Sequence, residues 1–276
     1  MIPAKVAELD AHEGPVYVAE EDALYFTSVP RPEVDIKRLS LRSGRVTVVR
    51  ADANKANGMA LAPDGRLLVC EQGTLDSPAR ISLVDRATGA AQTLVDAWNG
   101  APLNSPNDVV VKGDGTVWFT DPSYGFLQGF RPRPSLTDAV YRHDPRTGLT
   151  VLVAEGFDKP NGLAFSPDER VLYVGDSGEG MHRIEAFDVT GDSSLGNRRP
   201  FAVIDPGYPD GIKVDGAGRV YSAGPAGVHV FDPAGDLVGE IDLPGAVNLA
   251  FAAPDRIYVT ADTAVWAATT FEPQEA

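Results

Sequence analysis

The sequence predicts an all-β protein, a single six-bladed β-propeller domain spanning residues 1–276. Three observations predict it. One phrase, an apolar strand followed by a turn rich in Asp, Gly or Pro and a second strand, recurs six times along the chain. The polar residue at the head of each copy returns at a nearly even interval. No amphipathic stretch of helix length interrupts the copies.

The copies, in order, are HEGPVYVAEEDALYFTSVP from His12, NGMALAPDGRLLVCEQG from Asn57, PNDVVVKGDGTVWFTDPSYG from Pro106, PNGLAFSPDERVLYVGDSG from Pro160, PDGIKVDGAGRVYSAGPAG from Pro209 and VNLAFAAPDRIYVTADTA from Val247. Each alternates Val, Leu, Tyr or Trp at period two around a turn, which is the hairpin pattern. Further strand pairs such as AVYRHDPRTGLTVLVAE and GVHVFDPAGDLVGEIDL lie between them, so every unit supplies about four antiparallel strands. The head residues are Glu13, Asn57, Asn107, Asn161, Asp210 and Asn248, with steps of 44, 50, 54, 49 and 38 residues and a mean of 47. Four-stranded units at that period are propeller blades. The sixth copy ends in AVWAATTFEPQEA, one strand short, while AKVAEL stands spare before Glu13. The N-terminal strand is therefore expected to complete the last blade and remove an exposed sheet edge.

Composition narrows the function. The chain carries 24 basic and 39 acidic residues, a formal charge of −15, which repels nucleic acid and anionic lipid and suits a protein that attracts cations. No run approaches the roughly 18 apolar residues of a membrane span, and MIPAKVAELD lacks the basic and apolar regions of a secretory signal. A cytoplasmic location with neither nucleic acid nor membrane as partner is expected. The lone Cys70, in the strand-like LLVCE, rules out internal disulfides and thiolate clusters and reads as a small buried hydrophobe.

In a propeller the first strand of each blade lines the central channel, so all six head residues converge at one mouth. Singly, each is a turn former. Together they are six side chains bearing an amide or carboxylate oxygen, and Glu13 and Asp210 have no Lys or Arg at an equivalent position. Carboxylates gathered there repel one another and cost desolvation unless a positive charge joins them. A hard divalent cation prefers such oxygens: Ca²⁺ is the first choice, with Mg²⁺, Mn²⁺ and Zn²⁺ as alternatives.

These segments carry a family resemblance. EGPVY at Glu13, LNSPNDVVVKGDGTVWFTDPSYG from Leu103, KPNGLAFSPDERVLYVGDS from Lys159, PDGIKVD from Pro209 and GVHVFDPAGDLVG from Gly227 make the chain resemble, over nearly its whole length, the gluconolactonase and senescence-marker-protein (regucalcin) family of six-bladed propellers. The resemblance implies one divalent metal held by Glu13, Asn161 and Asp210, with Asn107 beside it as a further ligand or a substrate contact. It also implies hydrolysis of sugar lactones and related esters, a small-molecule substrate.

The residues suit that chemistry by themselves. A metal with open positions polarises a lactone carbonyl and acidifies water, while an adjacent carboxylate takes the proton. Asp210, opening the PDG turn, is the candidate base; its alternative role is that of ligand only. The loop after each second strand returns to the same mouth and carries Glu71, Gln72, Asp121, Tyr124, Asp176 and Asp262. Most of these cap turns or brace loops. Asp121 is expected to contact a substrate hydroxyl or support a contacting group, with Asn57 and Tyr124 as further substrate contacts. Arg131 and Arg133 lie in the longest loop, placed either to attract an anionic substrate or simply in solvent. His143 and His229 fall in third strands and read as structural. His182 starts a third strand and is the fallback base, whereas strand alternation should turn His12 away from the site. Two alternatives share much of this pattern: a phosphotriesterase-type hydrolase on the same metal site, and a noncatalytic NHL-like binding propeller, which has no need of six oxygen-bearing head residues.

Overall fold

A computed structural model describes residues 2–191, 194–253 and 255–271. Six four-stranded antiparallel sheets surround a central channel. From the channel outward, blade one is Val16–Val18, Ala23–Thr27, Ile36–Ser40 and Val46–Arg50; blade two is Ala56–Leu61, Leu67–Glu71, Arg80–Val84 and Ala91–Val95. Blade three is Val109–Val111, Val117–Asp121, Ala139–Asp144 and Leu149–Glu155; blade four is Pro160–Phe165, Val171–Asp176, Arg183–Val189 and Leu195–Val203. Blade five is Ile212–Val214, Val220–Gly224, Gly227–Phe231 and Leu237–Ile241. Blade six is Asn248–Ala253, Arg256–Thr260 and Asp262–Thr269, completed by Ala4–Ala11.

Position within the blade decides how each strand is buried. Second strands such as ALYFT, LLVCE and VWFTD are covered on both faces and lose polar alternation, while fourth strands such as VTVVR show one face to water. Six apolar clusters hold the ring, each lying between successive blades. Trp118 with Leu163 and Leu172 joins blades three and four, for example. The last cluster sets Ala11, Ala250, Tyr258 and Val265 of blade six against Leu24, Phe26 and Leu39 of blade one, closing the ring with the same apolar packing as the other junctions. The turn aspartates behave as turn formers should. Asp64, Asp114 and Asp168 each accept the backbone N–H two residues on, at 2.9 to 3.1 Å.

The N-terminal strand closes the last blade as expected, running antiparallel to Asp262–Thr269 from Ala4 opposite Ala267 to Ala11 opposite Asp262. Among the described residues, helix is confined to one turn at Tyr124–Leu127 and a 3₁₀ turn at Ala19–Glu21. Deleting residues 1–10 would expose the backbone edge of Asp262–Thr269 and uncover part of the closing cluster. The expected result is a fall in Tm of roughly 10 °C, about 3 to 5 kcal/mol in a domain of this size. An unchanged Tm in calorimetry would show that the ring does not depend on this strand.

Candidate active site

The six head residues do converge at one end of the channel. At two junctions the backbones fix one another, because the N–H of the residue after a head donates to the next blade's head carbonyl: Gly58 N to Asn107 O at 2.8 Å, and Gly162 N to Asp210 O at 3.1 Å. These approaches leave no room for a side chain. A Cβ on Gly58 would stand 2.5 Å from Asn107 O, and one on Gly162 2.2 Å from Asp210 O.

Above this ring lies a cavity of about 380 Å³ whose lining includes Glu13, Asn57, Asn107, Asn161 and Asp210. Five of the six heads thus face one space. The sixth, Asn248, is committed elsewhere: its Nδ2 donates to Glu13 Oε2 at 2.8 Å, and its Oδ1 accepts the Leu249 N–H at 2.7 Å. Together with the Gly14 N–H, at 2.7 Å, it pins one Glu13 oxygen, Oε2. Asn248 is therefore a positioning residue.

The amide oxygens Oδ1 of Asn57, Asn107 and Asn161 are buried and have no hydrogen-bond partner. Each such orphan costs about 1–3 kcal/mol unless something electropositive meets it. Close by are three acidic groups. Glu13 is pushed up to about 8, first by burial and then by the charges of Asp210 and Asp108. Asp210 is pushed up to about 7, again first by burial, with Asp108 and Asp262 adding repulsion. Asp108, 1% exposed, is raised chiefly by burial, against the pull of Lys213 with Nζ 3.5 Å from Oδ2. No cluster of three or more His, Cys, Asp or Glu suited to a metal occurs among the described residues, so amide oxygens would have to complete any ligand set. The donor set at this site, neutral amide and anionic carboxylate oxygens without thiolate, fits a hard divalent cation.

Asp108 was absent from the expected site, although the alignment of copies holds its signal. The residue after the head is Gly in EG, NG at Asn57, NG at Asn161 and DG, but aspartate in ND at Asn107.

Several expectations are corrected by the geometry. Asp121 lies outside the cavity lining and, of its two expected roles, has the geometry of a supporting group: it is fully buried, with Oδ2 accepting the Asn104 N–H and Oδ1 the Ser105 N–H, each at 2.8 Å. It braces the segment that leads into Asn107, and Asp176 does the same for Asp158 and Lys159 in blade four. Arg131 attracts no substrate. It is buried, and its guanidinium donates to the carbonyls of Thr74, Ser77, Leu103 and Asn104 at 2.7–3.1 Å, tying three mouth segments together. His182 sits just before the strand Arg183–Val189 at φ 34° and stands beside Tyr208, rings 6.0 Å apart, outside the cavity lining. His12 was expected to point away, yet it lines the cavity, because the N-terminal strand stops at Ala11 and alternation ends with it. Tyr124 and Asn57 line the cavity, where their assignment as substrate contacts requires them. His143 and His229 are buried in third strands on the blades, with His143 Nδ1 2.9 Å from Thr150 Oγ1.

The chain matches the SMP-30/Gluconolactonase/LRE-like region family model over residues 11–263. It is 31% identical to a gluconolactonase of Zymomonas mobilis over 85% of this chain and 70% of that protein. It is 30% identical to the lactonohydrolase oryL of Aspergillus oryzae over 89% of this chain and 64% of that protein, just under two thirds of that relative's length. Among solved structures, a gluconolactonase of Xanthomonas campestris superposes with a TM-score of 0.87 at 35% identity, covering 96% of this chain and 89% of the other.

Raised carboxyl pKa values bind protons that the unfolded chain has already released. Stability from Glu13 and Asp210 is thus fully present below their unfolded values near pH 4 and is lost as pH rises through about 7 and 8. Protein stripped of divalent ions should lose Tm between about pH 4 and pH 8 and level off above that, with the slope reduced in Glu13→Gln. Added Ca²⁺ should restore Tm most at the alkaline end, where no protons compete. A Tm independent of pH in the stripped protein would remove the acidic cluster as its cause.

Proposed function

The chain belongs to the SMP-30/gluconolactonase/LRE-like family, and from that premise we propose that it is a metal-dependent lactonase that opens sugar lactones by adding water at the carbonyl. The single observation that carries the metal is the set of orphaned amide oxygens on Asn57, Asn107 and Asn161 facing the Glu13 and Asp210 carboxylates. Glu13, Asn161 and Asp210 would hold the cation, with Asn107 beside them as further ligand or substrate contact. Ca²⁺ suits these hard oxygens first, and Mg²⁺, Mn²⁺ and Zn²⁺ are the alternatives for the same pocket. When bound, such a cation supplies Lewis acidity toward the lactone carbonyl and lowers the pKa of water.

The protein's own groups do the rest. Asp210 takes the proton from the attacking water at a carboxylate oxygen. Water adds to the carbonyl carbon, the C–O bond of the ring breaks, and the ring oxygen leaves as the new hydroxyl by taking back the proton that Asp210 had accepted, which restores the carboxylate. Asn248 holds Glu13 in place throughout. Tyr124, whose hydroxyl lies 3.5 Å from Asn161 Nδ2, closes one side over the reacting centre. The polar lining suits a hydroxylated small molecule.

Asp210→Asn keeps an oxygen for the cation but offers no base, so kcat should fall by about 10²- to 10⁴-fold at saturating metal. Asn161→Ala removes a neutral ligand and no base, and its loss should be partly recovered by raising the Ca²⁺ concentration. Proton release from δ-gluconolactone, assayed with metal occupancy set by calorimetry, reads both. Should Asp210→Asn retain more than about a tenth of kcat with the site full, the proton goes elsewhere.

Glu13→Gln gives an independent check on the ligand set. It preserves shape and removes one negative charge, so Ca²⁺ affinity should drop by about tenfold or more. Unchanged affinity in titration calorimetry would exclude Glu13 as a ligand.

A further inference from the structure

We propose that His12, held at one nitrogen by Asp262, is a substrate contact whose Nε2 hydrogen-bonds a hydroxyl of the lactone and so selects hydroxylated rings; this deepens the lactonase reading and rests on it.

His12 is placed by the junction between the closing strand and blade one. The strand Ala4–Ala11 ends with Ala11 opposite Asp262, and the His12 backbone N–H then donates to Thr27 O at 2.8 Å, so the chain crosses from blade six to blade one at this residue. Asp262 opens the third strand of blade six at φ 50°, a left-handed conformation uncommon outside glycine. Its Oδ1 lies 2.6 Å from His12 Nδ1, a contact between residues 250 positions apart. A carboxylate on Nδ1 fixes the plane of the imidazole, which is the usual way a protein aims the other ring nitrogen.

That other nitrogen has no hydrogen-bond partner among the described residues, while His12 lines the cavity with its side chain 27% exposed. Imidazole carries no proton at Nε2 when neutral, given Asp262 on Nδ1, and carries one when charged. A hydroxyl both donates and accepts. It is the substrate group that meets Nε2 in either state, whereas a carbonyl or an ether oxygen meets only the charged ring.

The remaining walls agree with this. Tyr124 and Gln128 reach the cavity from blade three, across the channel from the junction of blades six and one, and Tyr208 reaches it from the segment before Asp210. All three are uncharged groups that exchange hydrogen bonds with hydroxyls. A hydroxylated ring would thus be gripped from opposite sides, with His12 as the contact on the Glu13 side.

The test is the ratio of kcat/KM for δ-gluconolactone to that for δ-valerolactone, which lacks every ring hydroxyl. Where the bare lactone turns over too slowly to measure, its inhibition constant as a competitor replaces its kcat/KM. A ratio taken within one protein cancels any loss of folded or metal-loaded enzyme. His12→Phe should lower this ratio about tenfold, the value of a hydrogen bond lost in a desolvated site. His12→Gln, whose amide reaches about as far as Nε2, should recover part of it, and Asp262→Asn should lower it by less than His12→Phe. A ratio unchanged in His12→Phe overturns the proposal, as does an equal fall on both substrates. Failure of the wild-type protein to open either lactone would instead overturn the lactonase reading.

Discussion

Everything at this site depends on how closely six inner strands must approach one another to close a ring. The approach is made backbone to backbone. Gly58 N–H meets Asn107 O and Gly162 N–H meets Asp210 O, with no space for a Cβ between the blades at either point. A glycine after the head residue is thus a packing requirement, and its consequence is chemical. With the carbonyls of Asn107 and Asp210 turned sideways into the preceding blade, their side chains are left to face the axis. Five of the six do face the cavity.

What faces the axis is then an electrostatic problem that the fold does not solve alone. Glu13, Asp108 and Asp210 are brought together with Lys213 as the cation close to one of them, Asp108. Neighbouring hydrogen bonds stabilise single oxygens, as Asn248 and Gly14 do for Glu13 Oε2, but three amide oxygens remain without donors. Unpartnered polar atoms of one sign, collected at one point, are a cost that a ligand of the opposite sign would offset. Structural acids elsewhere show the contrast. Glu71, equally buried, has Arg80, Ser82 and Asn54 on its carboxylate, and Asp121 has two backbone N–H donors. The protein satisfies its buried carboxylates where they serve only the fold.

The fold was legible because a propeller repeats. Six heads at a mean spacing of 47 residues and a spare strand at AKVAEL define the blade count and the closure with no knowledge of contacts. The ring of head residues was legible for the same reason, since an equivalent position in each repeat becomes an equivalent position in space. What escaped was whatever breaks the repeat. Asp108 stands where four other copies have glycine, and Asn248 turns to Glu13 instead of the cavity. Arg131 belongs to an irregular loop, where four carbonyls from distant segments claim a guanidinium that sequence shows only as a surface charge. His12 was misplaced because period-two alternation was carried one residue past the end of its strand.

The misplaced residue also shows why closure and site belong together. Glu13 follows the closing strand by two residues, and it is held by Asn248, the first residue of the blade which that strand completes. His12 lies between them and is held by Asp262 of the same blade. Two long-range contacts, of 235 and 250 residues in sequence, therefore bridge the junction where the ring is sealed, and both end on cavity residues. An open ring would lose the apolar cluster between blades six and one and, with it, the alignment of Glu13 against Asp210 on blade five. Binding a cation between those two carboxylates acts in the opposite direction. Under the proposed function it would favour the closed ring by its affinity for the assembled set, so that occupancy of the site and integrity of the fold would stabilise each other through the same few residues.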